Sequence, residues 1–169
     1  MKLRLAQTLD LPAMMAIVSQ AQAALKAAGI DQWQNGYPTP EILLQDMDRK
    51  NAYVLVDQDE IIAMMTVIFN DEPTYDRIYD GAWLTTGAFA VVHRMAVADK
   101  RKQCGIASYL IGEVERMCRA NHIPSLKMDT HKDNKPMRHL LEKCGLVRCG
   151  FILLRDGNPR IAYEKTIPT

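Results

Sequence analysis

Residues 101–110 read RKQCGIASYL: two cations, a glutamine and a cysteine stand before a lone glycine, and the residues beyond it are apolar at helical spacing. Ile106, Leu110, Val114 and Met117 recur every three or four positions, as do Ala107, Ile111 and Cys118. That period predicts a helix with one apolar face, begun at Gly105. Upstream, residues 88–97, AFAVVHRMAV, are apolar, rich in β-branched side chains and long enough for a buried strand. The order is strand, short cationic loop, glycine, helix. Such a junction has a chemical use, because the first turn of a helix leaves backbone N–H groups unpaired and carries partial positive charge. A glycine there lets an anionic group reach the backbone with no Cβ in the way, and phosphate is the natural guest. A solvated cationic turn with an ordinary loop glycine is the other reading. Neither G-x-x-x-x-G-K-[ST] nor G-x-G-x-x-G fits the residues around Gly105.

The chain has 169 residues, which suits one domain, residues 1–169, with a sizeable core. Its 21 Lys and Arg face 20 Asp and Glu, so no general attraction to nucleic acid or to an anionic membrane is implied. Phosphate binding then has to be local, and a small anionic ligand is favoured over a polymer. The early run LPAMMAIV is too short for a membrane span and lies in a helical pattern led by Asp10 and Pro12, so a cytoplasmic protein is expected. Cys104, Cys118, Cys144 and Cys149 lack C-x-x-C spacing, and His122, His131 and His139 form no H-E-x-x-H, so free thiols and no bound metal are expected.

Along the chain, LRLAQ alternates like a strand, Asp10 is placed to cap a helix running to about residue 28, and Gly29 ends it. A second helix is predicted over 39–50, with Ile42, Leu43 and Met47 on one face. Strands at 53–56 and 61–69 flank the turn DQDE as a hairpin. The stretch NDEPTYDRIYDGAWLTTG is long enough to be a functional or covering loop. SLKMDT reads as a strand. In HKDNKPMRHLLEKCGL, Asp133 or Asn134 caps a helix that Gly145 ends, with Leu140 and Leu141 toward the core, and two strands about D-G-N-P close the chain. The sum is an α/β domain with a mixed sheet.

These residues resemble the GNAT superfamily of acetyl-CoA-dependent N-acetyltransferases over essentially the whole chain. Its acyl-CoA signature, R/Q-x-x-G-x-G/A, is matched by Lys102, Gln103, Cys104, Gly105, Ile106 and Ala107. Lys102 departs from the pattern but keeps the charge, without a guanidinium fork. HRMAV on the preceding strand and DTHKDNKPMRHLLEKCGL are further matches, with Leu146 where the family carries an aromatic residue. The resemblance implies a GNAT-like fold whose two central parallel strands splay, here those ending near Val97 and Asp129, with helices flanking. The pantetheine arm of acetyl-CoA would pair along Met95, Ala96 and Val97, its pyrophosphate would lie on the N–H groups of Gln103 to Ser108, and Asn134 would contact the cofactor.

The implied reaction is direct attack of a primary amine of a small molecule or peptide on the acetyl thioester. Such attack requires a base for the ammonium, a donor for the tetrahedral oxyanion and, where one exists, an acid for the thiolate. Met95 N–H is the oxyanion donor. His93 is the candidate base, because period two places it on Met95's strand face and relatives acting on arylalkylamines carry histidine on this strand; a satisfied core histidine is the other reading. Many relatives place an acidic tyrosine where this chain has Leu141, and Tyr163 and Tyr109 are the available stand-ins. Family substrate sites draw on the loop between the first two helices and the insertion before the central strand, which here hold Trp33, Tyr37 and Trp83. Partners expected are acetyl-CoA and an amine, without nucleic acid or membrane, and with a homodimer left open. A noncatalytic acetyl-CoA sensor or structural domain is the alternative.

Overall fold

Alternating apolar residues and turn chemistry translate into eleven main elements in the computed structural model, which describes residues 1–168. In order they are β1 (Lys2–Leu5), α1 (Leu11–Ala27), α2 (Pro40–Asp48), β2 (Ala52–Asp57), β3 (Glu60–Phe69), β4 (Ala90–Val97), α3 (Ile106–Ala120), β5 (Ser125–Thr130), α4 (Lys135–Lys143), β6 (Val147–Leu153) and β7 (Pro159–Thr166). The strands form one mixed sheet in the order β1-β2-β3-β4-β5-β7-β6. β4 and β5 run parallel, with Ala90 opposite Leu126 and Val91 opposite Lys127, while β1–β2, β2–β3, β5–β7 and β6–β7 are antiparallel. The α/β class with a mixed sheet, expected from the sequence, is what forms.

Two compact units divide the chain: Met1–Val67 with His93–Ala107, and Ile68–Val92 with residues from 108 onward. In the first, Met14, Ile17 and Val18 of α1 and Leu43 of α2 cover Ala52, Val54 and Met64, together with Ala96 and Ala98. Full burial of a side chain such as Leu43 contributes about 1.5–3 kcal/mol relative to exposure. Helix ends follow local chemistry. Thr39 caps α2 by accepting from the Ile42 N–H at 3.3 Å.

Asp10 departs from its expected role as side-chain cap of α1. Its carboxylate instead accepts from the Gln7 N–H at 2.7 Å and from Arg4 Nη1 and Nη2 at 2.7 and 2.9 Å, closing the short 3-10 turn Thr8–Asp10 before the helix. The Arg4 bonds come first among the causes that hold its pKa below the usual carboxylate value, against the opposing effect of burial.

In the second unit, the long stretch before β4 is a cover. Tyr75, at the end of the 3-10 turn Pro73–Tyr75, is buried with Val91, Ile152 and Ala162, and Trp83 and Phe89 pack against that cluster. The cover is also tied backbone to backbone: Tyr79 and Phe151 exchange N–H···O bonds of 2.9 and 3.0 Å. Glycine is required at two contacts, since a Cβ at Gly81 would sit 1.8 Å from the Cys149 carbonyl oxygen and one at Gly150 would sit 2.3 Å from that of Tyr79. All four cysteines are free, and burial first among its causes pushes the Cys118 thiol up to about 11, leaving Cys104 as the exposed one.

Candidate active site

β4 leaves the regular strand conformation at one residue. Arg94 has φ +52°, in the left-handed region that costs any residue with a Cβ. Burial along the strand records the break, because His93, Arg94 and Met95 are half-buried in succession where a regular strand would alternate. Period two therefore does not carry across Arg94, so strand alternation alone does not put His93 on Met95's face. Ala96 is buried in the first unit's core, and Val97 is half-buried at the strand's end.

The break is held by the Arg94 side chain. Its Nε and Nη2 donate to the two oxygens of Asp46 at 2.6 and 2.8 Å, and Nη1 donates to the Tyr37 hydroxyl at 2.7 Å. Thr66 completes the set, donating to Asp46 Oδ2 at 2.8 Å and receiving a longer 3.3 Å contact from Nε. Burial opposes the guanidinium's charge, but Tyr37 and Asp46 more than offset it, so the Arg94 pKa lies above its usual value. Sequence reasoning missed Arg94, Asp46 and Thr66. The available signal was Asp46, a carboxylate on the otherwise apolar face of α2.

Beyond β4 the chain makes a 3-10 turn, Asp99–Arg101, and then the loop that opens α3. Gln103 has φ +61° and Gly105 φ +76°, while Lys102 has φ −65° and Cys104 is not left-handed. Such alternation of hand gathers successive N–H groups into a concavity suited to an anion, next to the positive end of a helix. A Cβ built at Gly105 meets nothing within 4 Å, so the space over the loop is open. The side-chain charges are already matched: Lys102 pairs with Asp99, Lys100 with Glu60, and Arg101 with Asp57 at 2.9 Å. Positive potential at the loop thus comes from backbone N–H groups more than from Lys102. Gln103 and Cys104 are exposed, Ile106 is buried, and Ala107 and Ser108 are half-buried in the first turn of α3.

The other predicted residues divide between the units. In the first, Trp33 and Tyr37 meet edge to face at 6.3 Å, and Trp33 also packs against the core. Tyr37 is tied further by its carbonyl, which accepts from Gln22 Nε2 at 2.9 Å. In the second, Trp83 stacks on Tyr75 at 5.5 Å, donates its indole N–H to the Tyr75 carbonyl at 2.9 Å, and has Lys127 Nζ 4.2 Å from its centroid. Those contacts are the signature of an anchor. Asn134 caps α4, accepting from the Met137 N–H at 3.2 Å. The Tyr163 hydroxyl receives Arg138 Nε and donates to Glu142 Oε1, both at 3.3 Å, and Leu141 is fully buried. Tyr75 donates to Asp129 Oδ2 at 2.6 Å, a pair without a local signal because 54 positions separate the two residues. Among the described residues, no group of three or more His, Cys, Asp or Glu is placed to hold a metal, and no helix is long and apolar enough to cross a membrane.

Residues 20–146 match the family model described as Acetyltransferase (GNAT) family. Among solved structures, a GNAT-family acetyltransferase from Streptococcus agalactiae 2603 is 30% identical, with a TM-score of 0.90 over 99% of this chain and 96% of that one. An acetyltransferase structure from Staphylococcus aureus Mu50 is 25% identical, with a TM-score of 0.74 over 99% of this chain and 100% of that one. A NatB acetyltransferase complex bound to CoA shares the fold at 14% identity and a TM-score of 0.70, over 99% of this chain and 100% of that one. Among curated proteins, none matches the chain.

Proposed function

Because this chain belongs to the GNAT acetyltransferase family, we propose that it transfers the acetyl group of acetyl-CoA to a primary amine of a small molecule or peptide, by direct attack within a ternary complex. The observation that carries the reading is the loop from Lys102 to Ala107: left-handed Gln103 and Gly105 beside the first turn of α3, with open space where a Cβ would stand. Backbone N–H groups there bind the pyrophosphate, and the edge of β4 from Met95 through Val97 binds the pantetheine amides as an added strand would.

In the reaction, the amine nitrogen forms a bond to the acetyl carbon, the carbonyl oxygen becomes an oxyanion, and collapse of that intermediate breaks the carbon–sulfur bond. Met95 N–H donates to the oxyanion. His93 accepts the ammonium's proton, directly or through one water, before attack; its support is its place on β4, half-buried and two residues before Met95, rather than a shared strand face. Trp33 and Tyr37 bound the acceptor side. As the intermediate collapses the nitrogen releases its second proton to solvent, and solvent protonates the CoA thiolate, in keeping with Leu141 at the position of the family's tyrosine and with a Tyr163 hydroxyl engaged by Arg138 and Glu142.

A panel of amines with acetyl-CoA, followed by release of free CoA, tests the activity, and calorimetry tests the site. Gly105→Val should weaken acetyl-CoA binding more than tenfold, about 1.4 kcal/mol. Gly105→Ala is the control, since it adds the same kind of left-handed strain with little bulk. Equal affinity in wild type and Gly105→Val would remove the loop from cofactor binding. His93→Gln should lower turnover by about a hundredfold and abolish the acidic limb of the pH–rate profile. A folded variant with full activity and an unchanged limb would take His93 out of the mechanism.

A further inference from the structure

A left-handed residue with a Cβ persists only where its surroundings over-determine it, and such residues concentrate at functional sites. Arg94 is over-determined by its own side chain. Its guanidinium forks onto Asp46, reaches Tyr37 with a third nitrogen and touches Thr66, so α2, β3 and the loop carrying Trp33 all meet at one planar group. A core that needed only volume here would be as stable or more stable with apolar residues, because taking both charges out of water offsets their attraction. What a fork supplies is direction. The residue after Arg94 is Met95, whose N–H the acetyl-transfer reading assigns to the oxyanion. Tyr37, at the other end of the network, is assigned to the acceptor side.

Resting on that reading, we propose that Asp46, Arg94 and Tyr37 are a positioning network: the Asp46 fork holds Arg94 in the left-handed conformation that aims Met95 N–H, and the same guanidinium holds Tyr37 against Trp33. None of the three reacts. Acceptor binding and oxyanion stabilisation are thereby coupled through one side chain, and a change in α2 that touches neither substrate alters both.

Four variants separate this from a stability role: Asp46→Asn, Arg94→Ala, Arg94→Gly and Tyr37→Phe, each measured for kcat, for KM of the amine, for acetyl-CoA affinity and for Tm. Asp46→Asn should lower kcat at least tenfold with acetyl-CoA affinity within twofold of wild type. Arg94→Ala and Arg94→Gly both lose the fork, but glycine accepts the left-handed backbone, so Arg94→Gly should retain at least fivefold more kcat than Arg94→Ala while both raise the amine's KM. Tyr37→Phe should raise that KM more than it lowers kcat. Equal kcat in Arg94→Ala and Arg94→Gly, or losses in all four that follow Tm with normal kinetics in the folded fraction, would overturn the network. A wild type that binds acetyl-CoA but acetylates no amine would instead overturn the transfer reading. Trp33 emission in a Trp83→Phe background then tests the network without turnover: it should shift in Asp46→Asn and Tyr37→Phe, and unchanged emission in both would refute it.

Discussion

Among the described residues each unit encloses a cationic side chain, Arg94 in the first and Lys127 in the second, and the two are handled in opposite ways. In the first, the Arg94 side chain is 11% exposed and meets a carboxylate fork, a phenol and a threonine. In the second, Lys127 is 4% exposed and its ammonium lies 4.2 and 4.3 Å from the ring centroids of Trp83 and Phe89. The nearby buried carboxylate, Glu164, is occupied by other donors: the Leu84 N–H, Thr85 Oγ1 at 2.5 Å and Ser125 Oγ at 2.6 Å. Desolvation is the largest effect on Lys127 and lowers its pKa, although Glu164 works in the other direction. The lesson is that burial of charge has two uses. A forked pair fixes a backbone, whereas a ring-held ammonium mainly fills a place beneath a covering segment.

Removing the two cations is the sharpest way to break that contrast. Arg94→Met leaves Asp46 buried without its partner and should cost about 3–5 kcal/mol in urea unfolding; a loss below about 1 kcal/mol would put Arg94 in the same class as Lys127. Glu164→Gln comes next: its amide oxygen can keep the Leu84 N–H while its NH2 donates to the Thr85 and Ser125 hydroxyls, so the loss is the charge assistance of three hydrogen bonds, about 2 kcal/mol. Lys127→Met should change stability by no more than about 1 kcal/mol, in the stabilising direction. It gives up a desolvated cation–π contact of about 2 kcal/mol but also relieves the buried charge. A loss like that of Arg94→Met would mean the rings are a specific site.

The smallest effect is in the pH dependence. Lys127 has a folded pKa below its unfolded value of about 10.4, so between the two the unfolded chain binds more protons and stability rises with pH. Below the folded pKa the full penalty of a charged Lys127 is present, and it fades as pH climbs through that pKa toward about 10.4. The stability difference between Lys127→Met and wild type should therefore shrink over that window, as thermal unfolding of both at several alkaline pH values would read. A constant difference would show that Lys127 titrates normally.

Much of the fold was legible because it rests on local signals. Gly105 before a 3.6-residue period placed α3 within one residue, SLKMDT is β5 residue for residue, and Asn134 with Pro136 and Gly145 bracket α4. Turn residues located both hairpins. What was hidden depends on pairs far apart in sequence. Arg94 lies 48 residues from Asp46 and 57 from Tyr37, and nothing marks an arginine within a valine-rich strand as left-handed. Without that, period two extends through β4 unopposed and aligns His93 with Met95. Asp10 shows the same limit on a smaller scale, since its spacing suits a cap but Arg4 on β1 competes for its oxygens. Trp83 is placed on the acceptor side by the family resemblance, which carries no sign of a ring stacked on Tyr75.

β6 is one of the two edge strands of the sheet, and the bridge between Tyr79 and Phe151 engages both backbone hydrogen-bonding groups of Phe151. An open strand edge is a template for another chain, and natural sheets blunt such edges with charges, bulges or a covering loop. Here the blunting depends on two glycines, because a side chain at Gly81 or Gly150 would push the segment off the strand. Substitution at either should therefore show itself less as lost activity than as turbidity in concentrated solution, with self-association through a freed edge as its cause.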